Sequence, residues 1–147
     1  MNPTAQATTD PAQLEELIQR YGEAWAARDA DLIASFHADD GIFQLHSGGE
    51  PVRGREAIRD TFAGFLAQFP DLTFTEQELL PAPWGWTVRW TMSGTLAQPF
   101  PIGDRVAEAG GSFAIDAVDV ITASAGRLDA KHTYLDWAAA LEQLGLT

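Results

Sequence analysis

The chain has 147 residues, enough for one domain with a sizeable hydrophobic core. Its formal net charge of −12 argues against a general binder of nucleic acids or anionic membranes, because both partners are themselves negatively charged. The sequence contains no cysteine, which excludes disulfides and thiolate chemistry and suits the cytoplasm. No apolar run is long enough to span a bilayer, and residues 1–5 show no signal peptide, so we expect a cytoplasmic protein.

The N-terminal part predicts a tail followed by a helix. Residues 1–9 are small and polar, and we expect a flexible tail there before a single domain at residues 10–147. Asp10 and Pro11 then form a typical helix start. One stripe of this helix is apolar at helical spacing: Leu14, Leu17, Ile18, Tyr21 and Trp25. Tyr21 therefore faces inward, where its phenol needs a partner, and either catalysis or plain core packing explains it.

A second helix is predicted from a cap at Asp29 to the region of Asp40, with His37 in its last turn. A surface or capping role is one interpretation of His37, and a titratable functional group is the other, because a helix C-terminus favours the charged imidazole. Residues 42–46 then read as a strand. Phe43 and Leu45 occupy one side of it, and the polar side chains that alternate with them occupy the other.

The middle of the chain predicts a third helix and then strands. Gly54 leads into the helix and Pro70 follows its end. Its apolar side is formed by Ile58, Phe62, Phe65, Leu66 and Phe69. In the following strand pattern one face carries Trp86, Val88, Trp90 and Met92, and the other carries Thr87, Arg89, Thr91 and Ser93. The aromatic face is either core or a wall for a flat ligand. The loop at residues 98–103 has apolar tips suited to a lid or a dimer contact.

Asp119 is the most unusual residue of the later strands. It shares a strand face with Phe113, Ile115, Ala117 and Ile121, and it is the one charged residue in that row. A carboxyl group on an apolar face costs several kcal/mol unless it is protonated, hydrogen-bonded or in a polar pocket. Either this face is solvated, or Asp119 is an acid–base group at the floor of a hydrophobic cavity.

The C-terminal part predicts a last strand at residues 127–136 and a helix capped by Asp136, with Gly145 as its stop. The order of elements indicates an α+β fold with helices on one face of a curved sheet. No dinucleotide, phosphate-loop, zinc-protease or nucleophile-elbow motif is present. Three dispersed histidines without cysteine argue against a metal site, so we expect neither metal nor cofactor.

Several short strings, in order and with fitting spacing, resemble the nuclear-transport-factor-2-like (NTF2-like) superfamily, and within it the branch of ketosteroid isomerases and SnoaL-like polyketide cyclases. The strings are Gln19-Arg20-Tyr21, Phe36-His37-Ala38-Asp39-Asp40, Gly54-Arg55-Glu56-Ala57-Ile58, Ile115-Asp116-Ala117-Val118-Asp119-Val120, and Tyr134-Leu135-Asp136 before Gln143-Leu144-Gly145. The resemblance covers nearly the whole domain. It implies a cone-shaped fold: a curved antiparallel sheet, about three N-terminal helices on its concave face, and a short C-terminal helix.

The resemblance also implies roles for single residues. In the steroid isomerases a tyrosine of the first helix and a protonated aspartate of a late strand form the oxyanion hole, and Tyr21 and Asp119 match them. The position of the general-base aspartate is taken by Leu45, which cannot accept a proton.

The epoxide-hydrolase branch of the superfamily gives a second comparison of site residues. That branch uses an arginine and two aspartates around a water molecule. Arg89 matches the arginine, but Thr91 and Thr133 stand at the acid positions.

A pocket around Asp119 and Tyr21 follows from the resemblance. The residues implied in its lining are Phe43, Leu45, Phe62, Trp86, Val88, Trp90, Lys131, Thr133 and Leu135. His37 matches a position that can reach the tyrosine. His46 would face the pocket only if the strand bulges at Ser47-Gly48. Lys131 would be a base only if burial lowers its pKa, and a structural lysine that extends to solvent is the simpler interpretation.

These observations predict a cofactor-independent acid–base isomerase or cyclase that acts on a hydrophobic, enolisable, polyketide-like carbonyl compound. Asp119 would be the proton shuttle and Tyr21 the hydrogen-bond donor. A non-catalytic small-molecule binding module and a purely structural or oligomerisation domain are the alternatives. The expected partner is a small hydrophobic molecule rather than a nucleic acid or membrane. The outer sheet face, with Val118 and Val120 near Arg89, suits a homodimer contact.

Overall fold

The computed structural model describes residues 10–47 and 49–147, so the tail predicted at residues 1–9 lies outside it. The helices of this part are α1 (Pro11–Ala26), α2 (Ala30–Ser35), α3 (Arg55–Gln68) and α4 (Trp137–Gln143). Its strands are β1 (His37–Leu45), β2 (Val52–Arg53), β3 (Thr73–Ala82), β4 (Gly85–Thr95), β5 (Phe100–Ile102), β6 (Arg105–Ala107), β7 (Ser112–Ser124) and β8 (Arg127–Leu135). None of the described helices is long and apolar enough to cross a membrane.

Six strands form one curved sheet in the order β2-β1-β8-β7-β4-β3, with helices packed on it. The meander of β3, β4, β7 and β8 is antiparallel, as predicted. Strand β1 runs parallel to β8, so the sheet is mixed rather than antiparallel throughout. A parallel pair requires a long connection, and here most of the domain lies between the two strands. The predicted loop at residues 98–103 contains β5, which pairs with β6 as a separate hairpin.

Three aspartates begin helices, as the sequence predicts. The side chain of Asp10 accepts a hydrogen bond from the Gln13 backbone, and Asp29 and Asp136 cap α2 and α4 in the same way. At the other end of α4, Gly145 has a φ of 73°, and the backbone N–H of Leu146 donates back to the preceding turn at 2.8 Å. The predicted stop at Gly145 is therefore confirmed.

The prediction that places His37 in the last turn of the second helix, at the surface or as a cap, is wrong. Helix α2 ends at Ser35, and His37 is the first residue of β1, with no exposed surface. Its backbone pairs with Leu128 of β8, and its carbonyl accepts two hydrogen bonds from Arg55 at 2.9 and 2.8 Å. A helix as short as α2 has little stability of its own, so strand pairing and the Arg55 contacts decide the conformation of this segment.

The face of β7 that carries Asp119 is buried along its length, which contradicts the interpretation of it as a solvated face. Helices α1 and α3 cover this side of the sheet with apolar side chains. The main core cluster includes Leu14, Leu17, Tyr21, Ile58, Phe62, Trp86, Val88 and Ile121. A second cluster around Phe113, Ile115 and Ala140 lies beneath α4. The sheet thus places Asp119 among buried apolar groups.

Candidate active site

Asp119 is held by hydrogen bonds to both of its carboxylate oxygens. Thr133 lies directly opposite on β8, and its hydroxyl donates to Oδ1 at 2.6 Å. The indole N–H of Trp90, from β4, donates to Oδ2 at 3.0 Å. Only 6% of Asp119 is exposed. Donors on two neighbouring strands therefore satisfy the carboxylate and fix its orientation, which lowers the cost of burying it.

Lys131 is the cation beside this carboxylate. It precedes Thr133 by two residues, so strand alternation turns both side chains to the same face. Its Nζ lies 3.9 Å from Oδ2 of Asp119 and donates to the hydroxyl of Tyr21 at 3.3 Å. The same atom lies 4.6 Å from the centre of the Trp25 ring, within the range of a cation–π interaction.

The prediction that Lys131 extends to solvent is wrong, because the residue is 7% exposed. Burial acts to lower the pKa of Lys131, but the Tyr21 oxygen and the Asp119 carboxylate outweigh it and raise the pKa above its ordinary value. Lys131 is therefore an ammonium ion and cannot act as the base.

Tyr21 and His37 extend the series of polar side chains that begins at Asp119 and Lys131. The Tyr21 hydroxyl and Nε2 of His37 share a hydrogen bond of 2.9 Å. Burial lowers the pKa of His37 to about 3, with further contributions from the positive charges of Lys131 and Arg55. Burial raises the pKa of Tyr21, although Lys131 opposes the shift. Both side chains are therefore uncharged at neutral pH, and His37 acts on the site only through Tyr21.

A first cavity of about 390 Å³, here called the α3 cavity, lies between α3, the β5–β6 hairpin, α4 and the sheet. Asp119 and Lys131 provide polar groups in an otherwise mostly apolar lining. The predicted pocket residues that line it are Phe43, Leu45, Phe62, Trp90, Lys131, Thr133 and Leu135. A group of side chains that is scattered along the sequence is thus collected around one carboxylate.

A second cavity of about 740 Å³, here called the α1 cavity, lies between α1 and the β3–β4 side of the sheet. Tyr21, Trp86 and Val88 line this cavity and are not among the residues lining the α3 cavity. Asp119 and Lys131 line both cavities. The prediction of one chamber shared by all the site residues is therefore replaced by two cavities that meet at the Asp119–Lys131 pair.

The prediction that His46 lines the pocket is wrong. Its ring stacks on Tyr134 at 4.3 Å and shares a hydrogen bond of 2.8 Å with His132. His132 and Tyr134 alternate with the inward-facing residues of β8, so this group lies on the outer face of the sheet. Regular alternation after Leu45 turns His46 outward. The proposed bulge includes Gly48, which lies outside the described residues.

The outer face also holds two residues that the epoxide-hydrolase comparison placed in the site. Arg89 is exposed and pairs with Glu78 at 3.2 Å, and the hydroxyl of Thr91 accepts a hydrogen bond from Gln77. Thr133 is inside, but as a donor to Asp119. The arginine and the two acids of an epoxide-hydrolase site are therefore not assembled here.

The sequence analysis missed Trp25 as a site residue. It lines both cavities and covers the ammonium group of Lys131. The available signal was its position four residues after Tyr21, which places both rings on one face of α1. Within residues 10–47 and 49–147, no cluster of three or more histidine, aspartate or glutamate side chains is arranged to hold a metal ion.

Comparisons with known proteins agree with this architecture. A model of the SnoaL-like domain matches residues 18–130. A candidate SnoaL-like polyketide cyclase from Jannaschia sp. CCS1 superposes with a TM-score of 0.78 at 20% identity, over 95% of this chain and 97% of that one. IdmH, a candidate polyketide cyclase from Streptomyces antibioticus, gives 0.73 at 25% identity over 90% and 99% of the two chains. A ketosteroid-isomerase-like protein from Catenulispora acidiphila gives 0.74 at 19% identity over 95% and 96%. No curated protein matches the sequence.

Proposed function

This chain belongs to the SnoaL-like domain family, and from that premise we propose that it is a cofactor-independent acid–base isomerase or cyclase. Its substrate would be a hydrophobic, enolisable carbonyl compound. The observation that carries the proposal is the carboxylate of Asp119, fixed by Trp90 and Thr133 at the apolar α3 cavity and paired with a buried ammonium group. The two structural relatives named as candidate polyketide cyclases support the same substrate class.

In the proposed first step, Asp119 removes a proton from the carbon next to the carbonyl group. The electrons of that C–H bond form the enolate, and the carboxylate becomes a carboxylic acid. Lys131 is the cation closest to Asp119, and its ammonium group would stabilise the negative enolate oxygen. Tyr21 would act through Lys131, because its hydroxyl accepts a hydrogen bond from that ammonium group. A preorganised donor of this kind contributes about 3–4 kcal/mol to lowering a barrier.

The second step differs between the isomerisation and the cyclisation. In an isomerisation, the protonated Asp119 returns its proton to a different carbon of the conjugated enolate. In a cyclisation, the enolate carbon attacks a second carbonyl group of the same molecule, and Asp119 gives its proton to the resulting alkoxide. The apolar walls, including Trp90, would hold a flexible chain in a folded conformation and so reduce the entropic cost of ring closure.

The test uses α-tetralone, an apolar bicyclic ketone with one enolisable carbon, in deuterated water. We expect wild-type protein to accelerate deuterium incorporation, and Asp119→Asn to reduce that rate by about 10²–10⁴-fold, the usual contribution of a positioned acid–base group. Mass spectrometry gives the rate, and calorimetry checks that ketone binding persists. Asp116→Asn is the matched control, because it is the same substitution on an exposed position of β7.

An unchanged exchange rate in Asp119→Asn would exclude Asp119 as the proton shuttle.

One observation favours a second candidate function, a binding module that performs no reaction. Both Asp119 oxygens already accept hydrogen bonds, as expected of a group that only orients a bound hydroxyl or amide. Saturable α-tetralone binding without exchange in the wild-type protein would support this second function.

We also propose that the protein is a cytoplasmic homodimer that associates through the outer sheet face. Tyr134 is 47% exposed on that face, and Val118 and Val120 are partly exposed beside it. Sedimentation velocity tests this proposal directly. A monomer at micromolar concentration would contradict it.

A further inference from the structure

The two cavities are separated by a wall of aromatic rings. Phe74 makes edge-on contacts with Trp25 at 5.5 Å and with Trp90 at 5.9 Å, and these three residues line both cavities. Asp119 and Lys131 also belong to both linings. We propose that the α1 cavity is the second compartment of one binding site. Its ligand would extend past the ion pair from one compartment into the other.

The two compartments differ in polarity, and this difference indicates the class of ligand. The α3 cavity is lined mainly by aromatic and aliphatic side chains. The α1 cavity has polar groups at its edge, among them Glu15, Glu23 and Glu76. The guanidinium group of Arg28, on the same edge, is already bound to the backbone carbonyls of Leu66 and Phe69.

The ligand is therefore an amphiphile with an apolar ring system in the α3 cavity. Its other end, in the α1 cavity, is polar but not anionic, because the glutamates would repel a negative charge. This inference rests on the proposed function for the position of the carbonyl group at the ion pair. It adds to the proposed substrate a polar end that lies in the α1 cavity. The cavity volumes of about 390 and 740 Å³ both lie in the range of small-molecule sites.

Two glycines keep the mouths of the compartments open. Gly22, in the C-terminal half of α1, lines the α1 cavity, and Gly64, in the C-terminal half of α3, lines the α3 cavity. Both are exposed, and a Cβ atom added at either position would meet no atom within 4 Å. Glycine inside a helix is less favourable than alanine, because its backbone loses more conformational freedom on folding. A large side chain at either glycine would cover one mouth and leave the other unchanged.

The experiment measures binding of three naphthyl ketones by calorimetry. The first is the methyl ketone, and the second carries a hydroxyl-terminated hexyl chain on the far side of the carbonyl group. The third ends the same chain in a carboxylate. We expect the hydroxyl-terminated ketone to bind wild-type protein about tenfold more tightly than the methyl ketone, a difference of about 1.4 kcal/mol. The carboxylate-terminated ketone should lose this advantage.

The variants assign the two parts of the ligand to the two compartments. Gly22→Trp should remove the advantage of the hydroxyl-terminated chain without changing methyl ketone binding, and Gly64→Trp should weaken both ketones about tenfold. Ala26→Trp, one turn after Gly22 on the same cavity lining, repeats the first test if Gly22→Trp fails to fold. Arg20→Trp is the matched control, since it adds the same ring to an exposed position of α1 that lines neither cavity.

An advantage of the long ketone that survives in both Gly22→Trp and Ala26→Trp would overturn the inference. So would equal binding of all three ketones to the wild-type protein. The measurement does not depend on turnover. Suppose that Gly22→Trp loses the tighter binding of the hydroxyl-terminated ketone, but the wild-type protein exchanges no α-protons. The two-compartment site would then stand, and the proposed reaction would be rejected. Exchange without any chain advantage would retain the reaction and reject the second compartment.

Discussion

Among single residues, Lys131 matters most for the candidate site, because its ammonium group compensates the buried carboxylate of Asp119. It lies 3.9 Å from a carboxylate that is almost fully buried, and it contacts aromatic rings on its other sides. Removal of one member of a buried ion pair leaves the other charge uncompensated, which typically costs about 3–5 kcal/mol. The pair is therefore better understood as mutual compensation than as a source of net stability.

We predict that Lys131→Met lowers the free energy of unfolding by about 3–5 kcal/mol, and that adding Asp119→Asn to it restores at least half of the loss. Urea unfolding of the two single variants and the double variant measures the coupling. Equal stability of the wild-type protein and Lys131→Met would contradict the account of this pair. Asp116→Asn combined with Lys131→Met controls for a general effect of reduced negative charge.

His37 gives a second prediction, on the dependence of stability on pH. Its pKa is about 3 in the folded protein, against an ordinary value near 6.5, so the unfolded chain binds one more proton between these two values. Its contribution to stability is complete above about pH 6.5 and decreases by about 1.4 kcal/mol per pH unit as the pH falls towards 3.

Replacement with a residue that cannot titrate should remove this slope. We expect the stability difference between the wild-type protein and His37→Phe to shrink steadily as the pH falls from 6.5 to 4. Chemical unfolding at a series of pH values measures it. A difference that stays constant over this interval would show that His37 is protonated or exposed in the folded state.

The sequence predicted the buried position of Asp119 correctly and the solvent-directed position of Lys131 incorrectly, and both outcomes have one physical reason. The alternation of apolar residues along β7 is local, so the inward direction of Asp119 can be read from its four neighbours on that strand face. The burial of Lys131 depends on α1, which places Trp25 above its ammonium group from more than a hundred positions away. A long flexible side chain carries no local signal for such a contact. His37 was misassigned for the same reason, since its partner strand lies at the other end of the chain.

Among the secondary-structure elements, the N-terminal caps of the helices were the easiest features to predict from the sequence. The ends of short helices and strands were the hardest. Asp10, Asp29 and Asp136 act through hydrogen bonds to residues three positions away, which a sequence shows directly. Helix α2 has only six residues, and strand pairing of β1 with β8 determines where it stops. The helix or strand propensity of a short segment contains no information about that pairing.

The helix glycines lead to a prediction about element stability. Gly22→Ala and Gly64→Ala should each raise the free energy of unfolding by about 0.5–1 kcal/mol, because alanine favours the helix and the added Cβ meets open space. Thermal and urea unfolding measure the effect. A loss of stability in both variants would contradict the placement of these glycines at open cavity mouths.

Gly85 supplies the contrasting case. It begins β4 with a φ of 147°, and an added Cβ would lie 2.0 Å from the backbone oxygen of Ile121. The strands β4 and β7 would have to separate to admit it. We expect Gly85→Ala to destabilise the protein by more than about 1 kcal/mol, in the opposite direction from the helix variants.

At the scale of the whole molecule, the chain order predicted the α+β fold and its meander but not the two cavities. Hydrophobic alternation shows which residues face inward, but it gives neither the direction of a strand nor the gap that remains beneath a helix. The parallel pairing of β1 and β8 and the space between α1 and β3 both arise from long-range packing. The resemblance to a known family supplied the expectation of a pocket, and the structure divides that pocket into two compartments.

In the proposed mechanism a single carboxylate, that of Asp119, both removes and returns the proton. One base on one side of a bound ketone can reach only one of the two hydrogens on the enolisable carbon. The decisive measurement is the configuration of α-tetralone after partial exchange in deuterated water, determined by NMR in a chiral environment. The single-base mechanism predicts accumulation of the monodeuterated ketone in one configuration. Monodeuterated ketone with equal amounts of both configurations, formed at the wild-type rate, would contradict it.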